Sequence, residues 1–368
     1  MPKQKNQEMP WPLVSIVIPM YNQQRHLDAC IRSLCRQTYS NLQLIIVDDG
    51  STDRSPQMAD EWAARDARVS VIHKPNGRLA FARRDGYAKA TGEFVMFVDS
   101  DDTLPRHAVE TLVDLITTHE VDLVIGSVTR KMGFVKVKHY GDKLYSFPVG
   151  RVVKNPELQD KHYLGLFGNN TFSPMVWGRM FRKSAIDRAS SSVELYCAEV
   201  SSPTEDMYFI TMLFPFLDSM YRTRETVYVY RYGGLTTRYN SHFDDVHAYC
   251  DKRLQILDEK GLSQHCEPLL KQYADFVFEQ VQQMIKFKHA DKEEVTAFLK
   301  DELEHSEIGK RLADHFANRE TSHTGARLMA SHDYEGMYEY ARARYATLQK
   351  SWKNRIKRQY LKLINRFS

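Results

Sequence analysis

The chain has 368 residues, of which 42% are hydrophobic and 27% are charged, and its formal net charge is +4. These values are ordinary for a soluble protein, and the length suggests two domains or one domain with appendages. No run approaches the ~18 apolar residues of a membrane-spanning helix, and five widely spaced cysteines form neither a zinc pattern nor a disulfide framework. The start of the chain lacks the apolar core of a signal peptide. We therefore expect a cytoplasmic protein whose membrane contact, if any, is peripheral at the inner face of the cell membrane.

Apolar runs and amphipathic segments alternate along the first third of the chain. Compact apolar runs predict strands at residues 13–18, 42–47, 69–72, 94–98 and 121–125. Helical spacing predicts helices at 24–36, 55–65 and 106–118, and a further helix that carries Arg83 and Arg84 and ends at Thr91-Gly92. Pro19 should end the first strand. This alternation predicts an α/β fold with a mostly parallel sheet covered by helices on both faces.

Acidic residues follow two of the predicted strands. They are Asp48, Asp49, Asp99, Asp101 and Asp102. Ligands bind beyond the carboxyl ends of parallel strands, so these carboxylates and Tyr21 should share one cleft. Carboxylates so close together raise each other's pKa values, and a bound Mg²⁺ or Mn²⁺ is the simplest explanation of the second cluster. The alternative is a helix N-cap with solvated acids, since a helix begins near Pro105.

The middle of the chain has less regular patterns. Residues 131–153 predict a basic hairpin or flap, residues 172–181 form an apolar aromatic stretch, and residues 183–188 predict a short helix. Glu205 and Asp206 fall in the first turn of a predicted helix that runs to Leu213. Acids at this position interact favourably with the positive end of the helix dipole. The alternative is that Asp206 is placed there as a catalytic base. Two short strands are predicted at 220–224 and 227–231. Asn169-Asn170-Thr171 matches a glycosylation acceptor, which we interpret as chance.

The last third of the chain predicts helices. Residues 243–335 carry apolar residues at helical spacing, and residues 337–367 predict a basic amphipathic helix. Residues 341–368 contain nine Lys or Arg and no acid. This segment is expected to bind an anionic membrane surface; the alternatives are a helix that pairs with a partner and a solvated cationic end. No nucleic acid partner is expected, because no recognition fold accompanies the charge.

Five motifs in order resemble family 2 glycosyltransferases of the GT-A fold. They are Val17-Ile18-Pro19-Met20-Tyr21-Asn22, Ile46-Val47-Asp48-Asp49-Gly50-Ser51-Thr52-Asp53, Ala82-Arg83 with Ala90-Thr91-Gly92-Glu93, Val98-Asp99-Ser100-Asp101-Asp102, and Glu205-Asp206. The resemblance covers residues 13 to about 235 and is closest to bacterial enzymes that build capsule, lipopolysaccharide or exopolysaccharide. It implies a Rossmann-like GT-A domain at 1–236. The resemblance does not cover the helical region at 237–336 or the basic helix at 337–368, which are predicted from helical spacing alone.

The resemblance also implies a donor site for a UDP-sugar. Tyr21, two residues after Pro19, would stack on the uracil, and Asp49 would accept a hydrogen bond from the base. Asp48 would either lie next to the donor or hold the turn at the end of the strand. Arg83 would face the nucleotide. The D-x-D motif falls on Asp99-Ser100-Asp101, and some relatives use the next residue for the metal. Asp101 and Asp102 are therefore expected to hold Mn²⁺ or Mg²⁺ and the ribose, with Asp99 less directly involved.

Asp206 is expected to act as the general base of a single displacement that inverts configuration at the transferred sugar. The acceptor would be a saccharide or a lipid-linked glycan in surface polysaccharide synthesis. Candidate acceptor contacts are Glu205, Trp177, Arg179 and Arg231, although core packing or surface charge explains the last three equally well. Because no Q-x-x-R-W motif follows the acidic pair, transfer of one sugar or distributive elongation is favoured over processive synthesis.

Two other functions remain open from the sequence. A sugar-phosphate nucleotidyltransferase would share the sheet and the metal, but it should carry a glycine-rich signature after the first strand, where this chain has Pro19-Met20-Tyr21-Asn22. A catalytically silent nucleotide-sugar binder or scaffold would recruit other enzymes through its helical end. The acids at Asp101, Asp102 and Asp206 argue against the silent protein.

Overall fold

The computed structural model describes residues 11–132, 135–140, 147–167, 172, 175–196, 205–231 and 244–347. The chain divides into two compact units, Met1–Arg238 and Tyr239–Ser368. The proposed glycosylation acceptor at 169–171 and most of the basic segment 341–368 lie outside the described residues.

The described part of the first unit contains one nine-stranded mixed sheet. Its strands are β1 Val14–Met20, β2 Leu42–Asp48, β3 Val69–His73, β4 Phe94–Phe97, β5 Leu123–Met132, β6 Val135–Tyr140, β7 Val152–Lys154, β8 Arg179–Arg182 and β9 Ser219–Arg231. They lie in the order β3-β2-β1-β4-β8-β5-β9-β7, with β6 paired to β5. Strands β3, β2, β1 and β4 are parallel, as are β5 and β9, whereas β8 runs antiparallel to both of its neighbours.

Helices alternate with the strands as the sequence predicts. They are α1 Leu27–Cys35, α2 Ser55–Arg65, α3 Leu79–Tyr87, α4 Ala108–Thr118, α5 Lys183–Ser190 and α6 Glu205–Leu213, with short helical turns at Leu158–Tyr163, Leu164–Leu166 and Phe214–Phe216. All seven residues of β1 are buried, and α1 buries a stripe of Leu27, Cys30, Ile31 and Leu34. An apolar strand at the centre of a parallel sheet and an amphipathic helix that covers it are the expected partners. The predicted α/β fold is confirmed.

Two strand predictions were wrong. The first strand does not end before Pro19 but continues to Met20. Strand β4 pairs with β1 only as far as Phe97 opposite Val17, so Pro19 has β2 alone as a neighbour and its missing N–H costs no ladder hydrogen bond.

The two strands predicted at 220–224 and 227–231 form one strand, β9. Exposed Arg224 and Glu225 interrupt the apolar pattern at its middle. At this place the register between β5 and β9 shifts on both sides of Ser127. A Cβ on the neighbouring Gly126 would lie 2.1 Å from a Val227 methyl group, so the close approach of the two strands requires glycine there.

The described part of the second unit is helical, as predicted. Its helices are α7 Asp244–Glu259, α8 Glu267–Gln283, α9 Lys292–His305, α10 Glu307–Phe316 and α11 Thr324–Ala330, with short turns at Ser263–His265 and Met284–Lys288, and residues 334–347 are also helical. Asp291 and Glu294 form a capping box at the start of α9. The Tyr273 hydroxyl donates to buried Glu302 at 2.8 Å. Of the helices that the structure describes, none is long and apolar enough to cross a membrane.

Candidate active site

The carboxyl ends of four parallel strands lie at one edge of the sheet. Met20 at the end of β1 pairs with Asp48 of β2, and Asp48 pairs with His73 of β3. The chain after β4 continues along β1, since the Val98 amide donates to the Val17 carbonyl at 3.0 Å. The acidic ends of β2 and β4 therefore flank the end of β1, as the sequence predicts.

The loops after β1 and β2 are joined by hydrogen bonds. The Asn22 side-chain oxygen accepts from the Thr52 amide at 2.8 Å, and Ser51 Oγ accepts from the Asn22 amide at 3.0 Å. Asn22 has a φ of 53°, a left-handed conformation that Asn tolerates better than most residues. With the loop held in this way, the neighbouring Tyr21 ring stays 48% exposed and is available for stacking.

Asp48 and Asp49 are both buried, and each binds a different loop. Asp48 accepts from the Ser51 amide at 3.0 Å and lies 2.9 Å from His73 Nδ1. Asp49 Oδ1 accepts from the Gly77 amide at 2.8 Å and from Lys74 Nζ at 3.0 Å. Gly50 makes the approach of the two loops possible, since its φ is +75° and a Cβ there would lie 2.7 Å from the Asn76 amide nitrogen.

Arg83 on α3 lies among three carboxylates. Its Nη2 donates to Asp99 Oδ1 at 3.0 Å, and its Nη1 donates to Glu205 Oε1 at 3.3 Å and also to Asp206 Oδ1. Only 4% of the Arg83 side chain is exposed. Arg83 therefore joins the acidic end of β4 to the first turn of α6. The sequence predicts that Arg83 faces the nucleotide, but in this structure its side chain does not face open solvent in the cleft.

Asp206, the predicted base, is held on both of its oxygens. Oδ1 accepts from Arg83, and Oδ2 accepts from the Val176 amide at 3.2 Å. The side chain is 7% exposed. A carboxylate offers about four lone-pair sites, so an acceptor hydroxyl can still be bound by Asp206 once it reaches the side chain.

Arg83 faces three carboxylates, of which Glu205 and Asp206 are buried and Asp99 is half-buried, so the cluster has fewer positive than negative groups. Burial, the Asp206 charge and the Asp101 charge raise the pKa of Asp99 to about 6, although Arg83 opposes the shift. Burial and the Asp206 charge raise the pKa of Glu205 to about 8, again against Arg83. The raised pKa of Glu205 favours its neutral form, and a neutral Glu205 lowers the negative charge of the cluster.

Replacing Glu205 by Gln should flatten the pH dependence of stability. The pKa of Glu205 is about 8 in the folded chain against an ordinary value of 4.5. Between these values the unfolded chain releases the proton and the folded chain keeps it. The free energy of unfolding therefore falls as the pH rises and levels off above the folded pKa, by at most ~1.4 kcal/mol per pH unit. Gln at 205 stays neutral and removes this slope.

Urea unfolding of both chains at about pH 5, 7 and 9 measures the difference in slope. Glu61→Gln is the control, because the Glu61 side chain is 53% exposed and its change should leave the slope as it is. Parallel pH curves for the native chain and the Glu205 variant would contradict the prediction.

Asp102 and Asp101 lie at the end of β9 as well as of β4. The Arg231 amide donates to Asp102 Oδ1 at 2.6 Å, and Thr103 pairs with Val229 as an isolated bridge. Burial, followed by the Asp99 and Asp101 charges, raises the pKa of Asp102 well above its ordinary value. Burial also raises the pKa of Asp101.

These two acids fit a divalent cation. Asp102 is 1% exposed, and its Oδ2 has no hydrogen-bond partner among the described residues. A nearby cation would offset the cost of burying that oxygen in its charged form. The described part of the chain has no group of three or more His, Cys, Asp or Glu side chains placed to hold a metal. The protein would therefore supply two carboxylates, and the donor diphosphate and water would supply the other ligands.

The predicted acceptor contacts lie in different surroundings. Trp177 stacks between Tyr228 and Tyr230 with ring centroids 5.4 Å apart in each pair. Arg179 is 1% exposed and lies over the Phe172 ring at 4.8 Å. Arg231 contacts His26 through Nη2. The surroundings of Arg179 favour packing, whereas Trp177 and Arg231 lie next to residues that contact the acidic end of β4.

Sequence reasoning missed four residues that hold the site together. They are Lys74, His73, His26 and Tyr228. The Tyr228 hydroxyl accepts from the Asp99 amide at 3.1 Å, and burial is the main cause that lowers the pKa of His26. Each of these residues lies in a loop or strand with no local motif, so only the tertiary contact reveals it.

The sheet topology and the acidic strand ends define a GT-A fold followed by a helical region. Residues 15–189 match the family described as Glycosyl transferase family 2. Over these residues, just under half of the chain, the sequence is similar to that family.

Curated relatives named as glycosyltransferases agree with this match. The chain is 34% identical over 223 residues to an uncharacterized glycosyltransferase, EpsJ, of Bacillus subtilis, a match that covers 60% of this chain and 61% of EpsJ. It is 40% identical over 116 residues to glycosyltransferase GlyG of Streptococcus pneumoniae, covering 31% and 38% of the two chains. The chain thus spans less than two thirds of the length of these relatives.

Among solved structures, the fold is similar to that of S. aureus TarS 1-349 in complex with UDP-GlcNAc. The TM-score is 0.59 at 16% sequence identity, and the match covers 90% of this chain and 92% of that one. At this identity the likeness shows the fold.

Proposed function

We propose that the protein is an inverting, metal-dependent glycosyltransferase that moves a sugar from a UDP-sugar to a hydroxyl of a saccharide or lipid-linked glycan acceptor. The observation that carries the proposal is the joining of Asp99, at the acidic end of β4, to Asp206, on α6, through buried Arg83. A donor-side carboxylate and a base are thereby held at fixed positions in one cleft, which a transfer reaction requires.

The donor base binds at the ends of β1 and β2 in this proposal. The exposed Tyr21 ring stacks on the uracil, and Asp49 accepts from its ring N–H while Asp48 holds the turn through the Ser51 amide. Pro19 belongs to the strand end that positions Tyr21. The UDP-GlcNAc bound to the structurally similar TarS supports a UDP-sugar as donor.

The donor diphosphate binds beyond β4. Asp101 and Asp102 would hold Mn²⁺ or Mg²⁺ there, and the bound cation would supply positive charge next to the leaving diphosphate. Arg231 is suited to a phosphate oxygen, because its buried Nε has no partner among the described residues. The ion pair between Asp99 and Arg83 fixes the positions of both side chains on the donor side of the cleft.

Asp206 removes the proton from the acceptor hydroxyl as that oxygen attacks the anomeric carbon from the face opposite UDP. The C–O bond to UDP breaks as the new C–O bond forms, so a single displacement inverts the configuration. Arg83 and the Val176 amide fix the direction of the Asp206 carboxylate. The stacked Trp177 offers an aromatic contact for the acceptor sugar, and Glu205 acts through Arg83 because its side chain is buried.

UDP release from a panel of UDP-sugars tests the proposal. The native chain should release UDP from one donor in Mn²⁺ or Mg²⁺ and not in EDTA. Asp102→Ala should lower this activity by at least ~10²-fold, because removing the partner of a developing charge has that effect. Asp114→Ala is a control, since this carboxylate on α4 is exposed. No UDP binding and no release with any donor would favour a silent scaffold instead.

The basic segment 341–368 is proposed to hold the protein on an anionic membrane where lipid-linked acceptors reside. Nine Lys or Arg without an acid each contribute about 1 kcal/mol near such a surface. Sedimentation with phosphatidylserine vesicles should recover the full chain, and should recover less of a chain that ends at residue 340. Vesicles of phosphatidylcholine are the control, and equal recovery of both chains would reject the proposal.

A further inference from the structure

A small cavity lies beside Arg83. Its volume is about 10 Å³. Ala80, Phe97 and Phe209 form its apolar walls, and Arg83, Glu205 and Tyr196 supply its polar atoms. The walls are packed, since the Phe209 ring lies 5.6 Å from Phe97 and 5.3 Å from Tyr196 between centroids. Bulk water therefore does not solvate these polar atoms.

Three polar atoms at this cavity lack a hydrogen-bond partner among the described residues. They are Arg83 Nε, Glu205 Oε2 and Tyr196 Oη. The Arg83 and Glu205 side chains are only 4% and 7% exposed. Each buried polar group left without a partner costs ~1–3 kcal/mol, so three around one cavity point to a ligand that satisfies them together.

We propose that one water molecule occupies this cavity and bridges Arg83 Nε, Glu205 Oε2 and Tyr196 Oη. A cavity of ~10–15 Å³ holds one water, which needs two to four polar partners. The chemistry of the three atoms is complementary to water: Arg83 Nε–H donates, while the carboxyl of Glu205 and the hydroxyl of Tyr196 can each donate or accept. An apolar occupant would leave all three unpaired.

The bound water makes Tyr196 a positioning residue. Arg83 uses Nη1 and Nη2 for Asp206, Glu205 and Asp99, and the water fixes the remaining Nε. The planar guanidinium is thereby held from three sides, and its direction sets the direction of the Asp206 carboxylate. Tyr196 reaches Asp206 only through the water and Arg83. The role of Tyr196 in catalysis rests on the proposed glycosyltransferase function. The water site itself does not depend on that function.

A high-resolution crystal structure of the native chain tests the site directly. Density for a water within hydrogen-bond distance of Arg83 Nε, Glu205 Oε2 and Tyr196 Oη is expected. An empty cavity, or a water bound to only one of these atoms, would overturn the proposal. This readout needs no activity, so it separates a failure of the site from a failure of the glycosyltransferase proposal.

Tyr196→Phe tests the positioning role by removing one partner of the water. We expect kcat for UDP release to fall about three- to tenfold, as for the loss of one hydrogen bond, with KM for the donor unchanged and the pH profile of kcat displaced. Tyr87→Phe is the matched control, since it removes another tyrosine hydroxyl near α3 that donates to Asp187, and its kinetics should stay native. An unchanged kcat and pH profile in Tyr196→Phe, with the fold intact by circular dichroism, would overturn the role.

Discussion

Asp206→Asn should abolish sugar transfer while leaving UDP binding intact. Asn keeps the shape of the side chain, so its oxygen can still accept one of the two hydrogen bonds that Asp206 receives from Arg83 and the Val176 amide. The amide cannot take a proton from an acceptor hydroxyl at neutral pH. Loss of a general base lowers the rate by ~10²–10⁴-fold. We expect kcat to fall within that range and the affinity for UDP to change little.

Steady-state transfer assays and calorimetric titration with UDP measure the two quantities separately. Asp218→Asn is the control, because the Asp218 side chain lies just beyond α6 and is 75% exposed, and its kcat should be native. A kcat for Asp206→Asn within a few-fold of native would reject Asp206 as the base. Equal losses of transfer and of UDP affinity would instead indicate that Asp206 supports the donor site.

The sequence predicts the parts of the site that depend on local signals. Strand β2 ends where an apolar run meets Asp48-Asp49-Gly50, and α2 spans Ser55–Arg65, the range that helical spacing predicts. Because parallel strands place their carboxyl ends at one edge, the grouping of Tyr21 with these acids follows from the alternation of elements alone. The GT-A fold was predicted from the resemblance of five motifs, and the helical second unit from apolar residues at helical spacing.

Contacts between distant residues could not be predicted in the same way. Arg83 and Asp206 are 123 positions apart, and Arg231 and Asp102 are 129 apart. An arginine in an amphipathic helix has the same local pattern whether it faces solvent or three carboxylates, and exposed Arg84 is its direct neighbour in sequence. The continuous β9 was missed because its polar middle, Arg224 and Glu225, lies at a register shift that only the pairing with β5 reveals.

The burial of Arg83 also changes the interpretation of Glu205. The resemblance suggested an acceptor contact, but in the structure Glu205 Oε1 accepts from Arg83 and Oε2 faces a small cavity. Two adjacent acids repel each other when both are charged, and the raised pKa of Glu205 lowers that repulsion. Glu205 and Asp206 can therefore both be buried around Arg83.

Arg83→Met should destabilise the first unit by ~3–5 kcal/mol at neutral pH, the usual cost of removing one partner from a buried ion pair. Met fills much of the space, so the loss is mainly electrostatic: the carboxyl groups of Asp99, Glu205 and Asp206 lose the cation that they share. The deficit should shrink as the pH falls, because the pKa values of Asp99 and Glu205 are already raised to about 6 and 8 and protonation removes the uncompensated charges. Urea unfolding followed by near-ultraviolet circular dichroism measures both effects.

Arg84→Met provides the matched control, since the Arg84 side chain is 52% exposed and its loss should change stability by no more than ~0.5 kcal/mol. If Arg83→Met is as stable as Arg84→Met at neutral pH, the three carboxylates are solvated and Arg83 does not hold them. If Arg83→Met is destabilised equally at about pH 5 and pH 8, packing rather than charge explains the loss. A deficit that grows with pH identifies Arg83 as the counter-charge that keeps the base and the donor-side carboxylate together.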